Sequence, residues 1–319
     1  MIRALAITGP TASGKTALSL EIAEVLGCEI ISCDSMQIYR GMDIGTAKAT
    51  AEERARVPHH LIDFLDPRDK YSAENYRDDA LCAAREIVGR GKIPLFVGGT
   101  GLYIDTLMRG VPESPPSDSE VRERLSAIGA TEDGRKMLYE KLVEVDPESA
   151  EKTHMNNLRR VVRALEIYEL TGIAKSVFDA KSRETSPELS IGMITLDFHD
   201  REVLYSRVNE RVDEMLREGL VPEAEELFKS GVLTSDTTAA SAIGYKELVP
   251  FFEGRASLDE AGEEIKLSTR RYAKRQLTWF RHESEALRLF VDTEDGVIRD
   301  KKSLCRDAVE MARSLLEKR

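Results

Sequence analysis

Apolar residues occur along this chain in two patterns, short continuous runs and helical repeats. After the first run, Leu18, Ile22 and Val25 recur at helical spacing, and Gly27 stops that pattern. Residues 75–88 show the same helical spacing of apolar residues, which predicts a second helix there. A surface helix is predicted at 303–318. Five apolar runs predict buried strands, at residues 4–7, 29–32, 93–97, 191–198 and 287–291. Strands that alternate with helices indicate an α/β fold, a parallel sheet flanked by helices.

The composition changes after residue 111. Prolines 112, 115 and 116, with serines between them, predict a hinge. From Ser119 to about residue 178 the pattern is polar and helical without strand signals, and Asp118 precedes it as a helix cap. We therefore predict an α/β core formed by residues 1–112 and 190–319, with an all-helical insertion domain at residues 113–189.

The loop after the first predicted strand has the pattern G-x-x-x-x-G-K-T, made by Gly9, Pro10, Thr11, Ala12, Ser13, Gly14, Lys15 and Thr16. Between a strand and a helix, this pattern predicts a P-loop that binds phosphate groups through backbone N–H groups and the helix N-terminus. Lys15 can bridge phosphate oxygens, and the Thr16 hydroxyl can bind Mg²⁺. The alternative is a chance glycine-rich turn.

Two further loops are predicted at the edge of the sheet that carries the P-loop. Asp34 follows the second strand, either as a functional carboxylate or as the cap of a helix. Gly98, Gly99 and Thr100 follow the third strand, where a P-loop nucleotidase usually has an acidic residue. We interpret this small-residue turn as space for a bulky ligand. The loop at 41–48 suits either a phosphate site or a solvated linker.

Basic residues are clustered although the formal net charge is −11. Arg159, Arg160 and Arg163 share one helical face, which predicts either a binding surface or an ordinary solvated face. The helix at 269–282 carries a second cluster and, with it, three aromatic residues. Such clustering against a negative background indicates a polyanion larger than a mononucleotide. Core packing is the main expectation for Trp279 and Phe280, with base stacking as the alternative.

Other features narrow the class of protein. No apolar run approaches the ~20 residues of a membrane span. The first strand starts directly at the N-terminus, so we expect no signal peptide. Cysteines 28, 33, 82 and 305 form no C-x-x-C pair and have no flanking histidines, so we expect reduced thiols rather than a zinc site. Together these features predict a cytoplasmic protein.

The chain resembles the bacterial tRNA dimethylallyltransferase (tRNA isopentenyltransferase) family. Six blocks carry the resemblance, in this order: GPTASGKT, CDSMQIYRGMDIGTAK, PLFVGGTGLY, NNLRRVVRALE, SAIGYKE and TRRYAKRQLTWFR. They extend from the first strand to about His282, and the zinc finger of eukaryotic relatives is not found. The resemblance implies transfer of a dimethylallyl group from dimethylallyl diphosphate to the exocyclic amine of the adenosine beside the anticodon, in tRNAs that read codons beginning with U.

The resemblance also implies roles for individual residues. Asp34 would be the general base, with Lys15 and Thr100 also catalytic. The P-loop residues 9–16 and Arg211 (or its neighbour Arg207) would hold the donor diphosphate, with Mg²⁺ on Thr16. A monomer is expected. By this resemblance the anticodon stem-loop would contact Asp34, Ser35, Met36, Gln37, Thr100, Arg122, Arg159, Arg160, Arg163, Tyr245 and Lys246. The clustered charges of the basic helix add Arg271, Lys274 and Arg275 to the predicted tRNA contacts.

Two other classes share part of these features. A small-molecule or nucleotide kinase would use the same P-loop for ATP, but kinases of this size usually lack both the helical insertion and the basic C-terminal helix. A non-catalytic RNA-binding protein would not require both Lys15 and Asp34. We therefore expect the prenyltransferase, with the kinase as the alternative.

Overall fold

The computed structural model describes residues 1–110, 115, 117–182 and 188–317. The chain divides into two compact units, the first made of Met1–Met108 and Glu188–Arg319 and the second of Arg109–Pro187. The predicted hinge falls mostly on residues 111–114 and 116, which lie outside the described residues. None of the helices in the described part of the chain combines the length and apolar character needed to cross a membrane.

A parallel sheet forms the centre of the first unit. Its strands are β1 (Ile2–Thr8), β2 (Cys28–Ser32), β3 (His59–His60), β4 (Ile93–Gly98), β5 (Leu189–Asp197) and β6 (Leu287–Phe290), in the order β3-β2-β4-β1-β5-β6. The five predicted strands are confirmed, and the short edge strand β3 was not predicted. Because neighbouring strands are parallel, their carboxyl ends meet at one edge, where the loops after β1, β2 and β4 come together.

The described residues contain the following α-helices, in chain order: α1 (Lys15–Leu26), α2 (Ala51–Arg56), α3 (Ala73–Gly89), α4 (Gly101–Arg109), α5 (Ser119–Ile128), α6 (Glu132–Val145), α7 (Pro147–Glu151), α8 (Leu158–Thr171), α9 (Lys175–Ser182), α10 (Arg201–Glu218), α11 (Leu220–Lys229), α12 (Val249–Phe252), α13 (Leu258–Arg281) and α14 (Lys301–Glu317). Gly27 ends α1 in the left-handed conformation, as the sequence pattern indicates. A capping box between Ser72 and Asn75 begins α3.

Alternating side chains of β1 enter two different cores. Leu5 and Ile7 pack with α1 and α14, whereas Ala4 and Ala6 pack with α3 and α4 on the other face. This alternation is the period of two that a strand imposes. A third apolar cluster lies under α10, α11 and α13 and includes the loop after β2. The sheet is therefore covered on both faces, which leaves the strand-end loops as the place for chemistry.

The structure changes two expectations about helices and adds one helix, α4, that the sequence pattern did not predict. Val25 is 52% exposed rather than buried, and it lies beside α14. The predicted surface helix, α14, buries Leu304, Ala308 and Ala312 because residues four apart form one stripe toward the sheet. The apolar residues of α4 follow a glycine turn, which concealed that helix in the sequence pattern.

The second unit has a separate core. Leu125, Leu142 and Leu165 are buried where α5, α6 and α8 meet. The predicted cap is present, since the Asp118 carboxylate accepts the Val121 N–H at 3.0 Å. The unit is helical throughout its described residues, as the sequence indicates.

A glycine pair provides a test of the packing at the end of β4. In Gly98→Ala the new Cβ would lie 2.2 Å from the Cys33 carbonyl oxygen. This oxygen belongs to the backbone, so relieving the clash requires the chain itself to move. We expect the free energy of unfolding to fall by about 1–3 kcal/mol. Gly89→Ala is the control, because its Cβ would meet nothing within 4 Å. Urea unfolding of the two variants with equal midpoints would contradict this account.

Candidate active site

The P-loop follows β1 and leads into α1. Gly9 has φ 137°, and a Cβ there would lie 2.8 Å from the Leu196 carbonyl oxygen of β5. Gly14 has φ 93° at the start of α1, a conformation that glycine adopts at little cost. Arg207 of α10 donates from Nε to the Ala12 carbonyl oxygen at 2.9 Å, so this predicted diphosphate contact braces the loop. The Ser13 hydroxyl is buried and has no hydrogen-bond partner within the described residues.

Lys15 lies folded against its own loop. Its Nζ donates to the carbonyl oxygens of Gly9 at 3.0 Å and Pro10 at 2.6 Å. Burial, and then the positive charge of Arg211, lowers the pKa of Lys15 to about 7, while the negative charge of Asp34 opposes that shift. The ammonium is thus poorly compensated, and an anion in the loop would stabilise it.

Asp34 lies at the same sheet edge, after β2. Its Oδ1 accepts the N–H groups of Met36 at 2.9 Å and Gln37 at 3.4 Å, so the carboxylate caps a turn and not a helix. Its charge acts on Lys15, on Arg211 and on Tyr272. The predicted base and the predicted phosphate-binding lysine therefore lie at one edge of the sheet, close enough for their charges to interact.

Arg211 and Tyr272 complete the charged neighbourhood of Asp34. Burial lowers the pKa of the Arg211 guanidinium, and Asp34 opposes that shift. Burial and then the Asp34 charge raise the pKa of the Tyr272 hydroxyl well above its usual value, which keeps it a neutral donor. Tyr272 was considered only as one of the aromatic residues of a basic helix, so its place beside Asp34 is a finding of the tertiary structure.

Thr100 connects the third loop to the second. Its Oγ1 accepts the Ser35 N–H at 3.1 Å, and the Thr100 N–H donates to the Cys33 carbonyl oxygen at 3.1 Å. β4 ends at Gly98 without an acidic residue. The glycines around Thr100 were interpreted as space for a ligand, and that interpretation is wrong in its details. Their Cβ positions are occupied by protein, since Cys33 lies against Gly98, Gln276 against Gly99 and Trp279 against Gly101.

The other residues of the loop after β2 hold its shape. Met36 packs against the third apolar cluster. Gln37 donates from Nε2 to the carbonyl oxygens of Thr46 and Ala47, each at 3.1 Å. Met36 and Gln37, both predicted to contact tRNA, therefore also stabilise the conformation of this loop. The lysine of the 41–48 loop is also structural, because Lys48 is buried and forms ion pairs with Asp43 and Asp63.

Three of the basic residues of α13 face solvent, whereas Arg270 is partly buried and donates to Asn209 Oδ1 at 2.6 Å. Arg271, Lys274 and Arg275 are exposed, while Ala273, Leu277 and Phe280 on the opposite side are buried. The Arg275 guanidinium lies 5.7 Å from the centroid of the Tyr272 ring. Trp279 packs over Gly101, which agrees with the expected packing role of both aromatic residues near the helix end. The helix thus presents a cationic face to solvent and directs its other face to the loops after β1 and β4.

Tyr245 is a correction to the predicted tRNA contacts. Its side chain is fully buried, and its hydroxyl donates to Glu223 Oε1 at 2.6 Å, so its ring cannot stack on RNA in this structure. The same Glu223 carboxylate accepts the N–H groups of residues 43–45. Tyr245 therefore stabilises that loop through its hydrogen bond to Glu223. Lys246 next to it is exposed and remains available for a contact.

Arg122 and Arg163, in the second unit, have a structural task. Glu166 of α8 is 0% exposed, and its Oε2 accepts both guanidiniums at 2.9 Å. A buried carboxylate without partners would be costly, so these two arginines stabilise the helical unit. Arg159 and Arg160 are exposed on the first turn of α8. The predicted basic triplet is therefore divided between a structural arginine and two exposed ones.

A cavity of about 530 Å³ borders the P-loop in the first unit. Its lining includes P-loop residues, Arg207 and Arg211 of α10, residues between 43 and 54, and three carboxylates of α10, those of Glu210, Glu214 and Glu218. No group of three or more His, Cys, Asp or Glu in the described ranges could hold a metal ion. Mg²⁺ commonly uses one or two protein ligands with phosphate oxygens and waters, so Thr16 at the start of α1 fits as a single protein ligand.

The sheet and the loop after β1 define the class of protein, a P-loop-like α/β fold with a carboxylate at the same edge of the sheet as that loop. The chain belongs to the IPP transferase family, whose pattern matches residues 37–283, and that of isopentenyl transferases matches residues 2–63. It is 45% identical over 307 residues to a tRNA dimethylallyltransferase of Thermoanaerobacter sp. (strain X514), covering 96% of this chain and 97% of the relative. The same enzyme of Shouchella clausii is 48% identical over 284 residues, covering 89% of each chain.

Two solved structures are similar over the whole chain. A tRNA isopentenylpyrophosphate transferase from Bacillus halodurans superposes with a TM-score of 0.73 at 40% identity, covering 100% of this chain and 98% of that one. A eukaryotic dimethylallyltransferase described as acting on tRNA has a TM-score of 0.81 at 28% identity, covering 100% and 80%. These findings confirm the family resemblance and give the kinase alternative no support.

The lowered pKa of Lys15 predicts proton uptake when an anion binds. Below pH 7 the ammonium is already charged, whereas above about pH 7 the free protein must take up a proton to pair with diphosphate. Affinity for inorganic diphosphate should therefore fall by up to about tenfold per pH unit between pH 7 and 9, relative to Lys15→Met. Calorimetry in buffers of different ionisation enthalpy measures the uptake. Equal proton uptake in parent and variant would contradict the assignment.

Proposed function

We propose that this chain transfers a dimethylallyl group from dimethylallyl diphosphate to the exocyclic amine of the adenosine beside the anticodon, in tRNAs that read codons beginning with U. The observation that supports it best is the charge interaction of Asp34 with Lys15 and Arg211 at one edge of the sheet. The transfer reaction needs a group that binds the leaving diphosphate and a proton acceptor for the amine, close to each other. The family membership and the relatives named for tRNA dimethylallyl transfer support the same conclusion.

The donor diphosphate binds in the P-loop. The backbone N–H groups, the Ser13 hydroxyl and the Lys15 ammonium contact its oxygens, and Arg211 adds a second positive charge. The adjoining cavity has room for a five-carbon diphosphate. We propose that Thr16 holds Mg²⁺, which when bound offsets charge on the diphosphate oxygens. On binding, Lys15 exchanges its two backbone carbonyl partners for phosphate oxygens.

Asp34 accepts the proton in the transfer step. The adenine amine attacks the allylic carbon, the new N–C bond forms, and the C–O bond to diphosphate breaks with its electron pair on oxygen. The amine loses one proton, which passes to the Asp34 carboxylate, and such general-base catalysis contributes typically ~10²–10⁴-fold. Hydrogen bonds from Met36 and Gln37 to Oδ1 fix the carboxylate orientation. Thr100 and Tyr272 beside it are polar groups that can contact the adenine.

The acceptor base reaches this carboxylate only when unstacked. We propose that it is flipped out of the anticodon loop, at a cost of a few kcal/mol, and enters beside Thr100. The exposed residues Arg271, Lys274 and Arg275 bind the phosphates around it. Arg159, Arg160 and Lys246 are the other exposed cations that we assign to the RNA. Arg122 and Arg163 act through Glu166 by keeping α8 in place.

We propose that the chain acts as a monomer in the cytoplasm, where tRNA is its substrate. The deciding experiment incubates the protein with unmodified tRNA and radiolabelled dimethylallyl diphosphate. Label should enter the tRNA, and absence of incorporation would overturn the proposal. Thermal stabilisation gives an independent comparison, because a prenyltransferase responds to dimethylallyl diphosphate whereas a kinase responds to ATP.

Asp34 is tested by two substitutions. Asp34→Asn keeps an oxygen that accepts the Met36 N–H but loses the proton acceptor, and Asp34→Ala loses both. Both variants should transfer at least ~10²-fold more slowly in a single turnover while tRNA affinity stays within about twofold. Parental rates in the asparagine variant would show that Asp34 only shapes the turn.

The cationic face of α13 is tested by the salt dependence of tRNA binding. Arg160→Ala combined with Arg275→Ala should weaken binding and lower the slope of log K against log salt by about 0.7–0.9 for each phosphate that is no longer neutralised. Arg313→Ala, an exposed charge on α14, is the matched control and should leave the slope unchanged. The double variant removes two charges and the control removes one, so we compare the change in slope per removed charge. An equal change in both would show that tRNA responds to the overall charge of the protein and not to these two residues.

A further inference from the structure

Gln276 of α13 contacts two of the three catalytic loops at once. Its Oε1 accepts the Thr11 N–H of the P-loop at 2.9 Å, and its Nε2 donates to the Gly99 carbonyl oxygen at 2.8 Å. The side chain is 6% exposed, so neither bond is exchanged freely with water. These loops are separated by more than 170 residues of chain from Gln276, as the sequence numbers show.

The residue type is specified by this geometry. A neutral carboxamide both accepts and donates, which a carboxylate or an aliphatic side chain cannot do. The fit is close, because a Cβ on Gly99 would lie 2.1 Å from Nε2. Within the stripe of α13 that includes Ala273, Leu277 and Phe280, Gln276 is the polar member, and this is the signal by which the sequence could have revealed it.

The two loops carry the two halves of the reaction. Thr11 belongs to the loop that binds the donor, whereas Gly99 precedes Thr100, which is bonded to Ser35 beside Asp34. The distance between donor and base is therefore set in part by one side chain. That side chain lies on the helix whose exposed face carries Arg271, Lys274 and Arg275.

We propose that Gln276 is a positioning residue that fixes the spacing between the donor loop and the acceptor-side turn. The proposal rests on the proposed function. It assigns Gln276 no contact with the reacting atoms. A displacement of about 1 Å between reacting groups can cost ~10²-fold in rate, so loss of this tie should lower the transfer step itself more than the binding of either substrate.

The first test replaces Gln276 with methionine, which has similar size and neither hydrogen bond. In Gln276→Met the single-turnover rate should fall ~10–100-fold while tRNA affinity stays within about threefold. Thr269→Val is the matched control, since it removes a hydrogen bond within the same helix, from Thr269 Oγ1 to the Ile265 carbonyl oxygen at 2.7 Å. Hydrogen exchange of the peptide at residues 9–16 should accelerate in the methionine variant alone.

The second test uses protonation as rescue. A carboxylic acid both donates and accepts, whereas a carboxylate only accepts. Burial favours the neutral carboxylic acid at this position, so in Gln276→Glu the rate should approach that of the parent near pH 5.5 and fall below it as the pH rises to 8.5. Tyr272, which contacts Gln276 on the same helix, stays neutral over this range. Lys15 and Asp34 are present in parent and variant alike, so we compare the ratio of rates. Gln276→Met should show a constant ratio.

Each outcome decides the proposal. Rates of Gln276→Met within twofold of the parent, an equal loss in Thr269→Val, or a rate ratio for Gln276→Glu that does not change with pH would overturn it. Absence of transfer by the parent protein would overturn the proposed function instead, and the hydrogen-exchange comparison would then still show whether the tie between the loops exists.

Discussion

The site depends on a buried lysine ammonium at the edge of a parallel sheet whose positive charge is only partly balanced by negative charge nearby. Lys15 contacts two carbonyl oxygens of its own loop, and burial together with Arg211 disfavours its charge. Asp34 supplies part of the missing negative charge and lies where the second strand ends. In the proposed function a diphosphate compensates the lysine charge more fully than either partner does, and the same carboxylate takes a proton from the amine.

This arrangement requires three loops to approach one another very closely. Gly9, Gly98 and Gly99 each lie where a Cβ would collide with a neighbouring segment. The glycines of the loop after β4 thus make room for protein, since Cys33 of the neighbouring loop and Gln276 of α13 occupy the space that side chains there would need. Gln276 joins the loops, so the helix that carries the exposed cations is also part of the scaffold of the site.

Charged residues with the same appearance in the sequence serve two different purposes. Arg163 and Arg122 neutralise Glu166 inside a helical core, whereas Arg159 and Arg160 on the adjoining turn face solvent. A carboxylate buried at 0% exposure needs such partners because desolvation is expensive. In the proposed function the exposed cations bind the RNA, while the paired ones maintain the shape of the helical unit.

The sequence alone determined the five longer strands of the sheet, the glycine-rich loop after the first of them and the place of Asp34 after the second. These follow from local periodicity and from the rule that parallel strands end at one edge. Only the tertiary structure decided that Tyr245 is buried, that the glycine turn is filled and that Gln276 joins two loops. Such contacts connect residues far apart in the chain, as from Thr11 to Gln276. Periodicity records which face of a helix is buried but not which group it meets there.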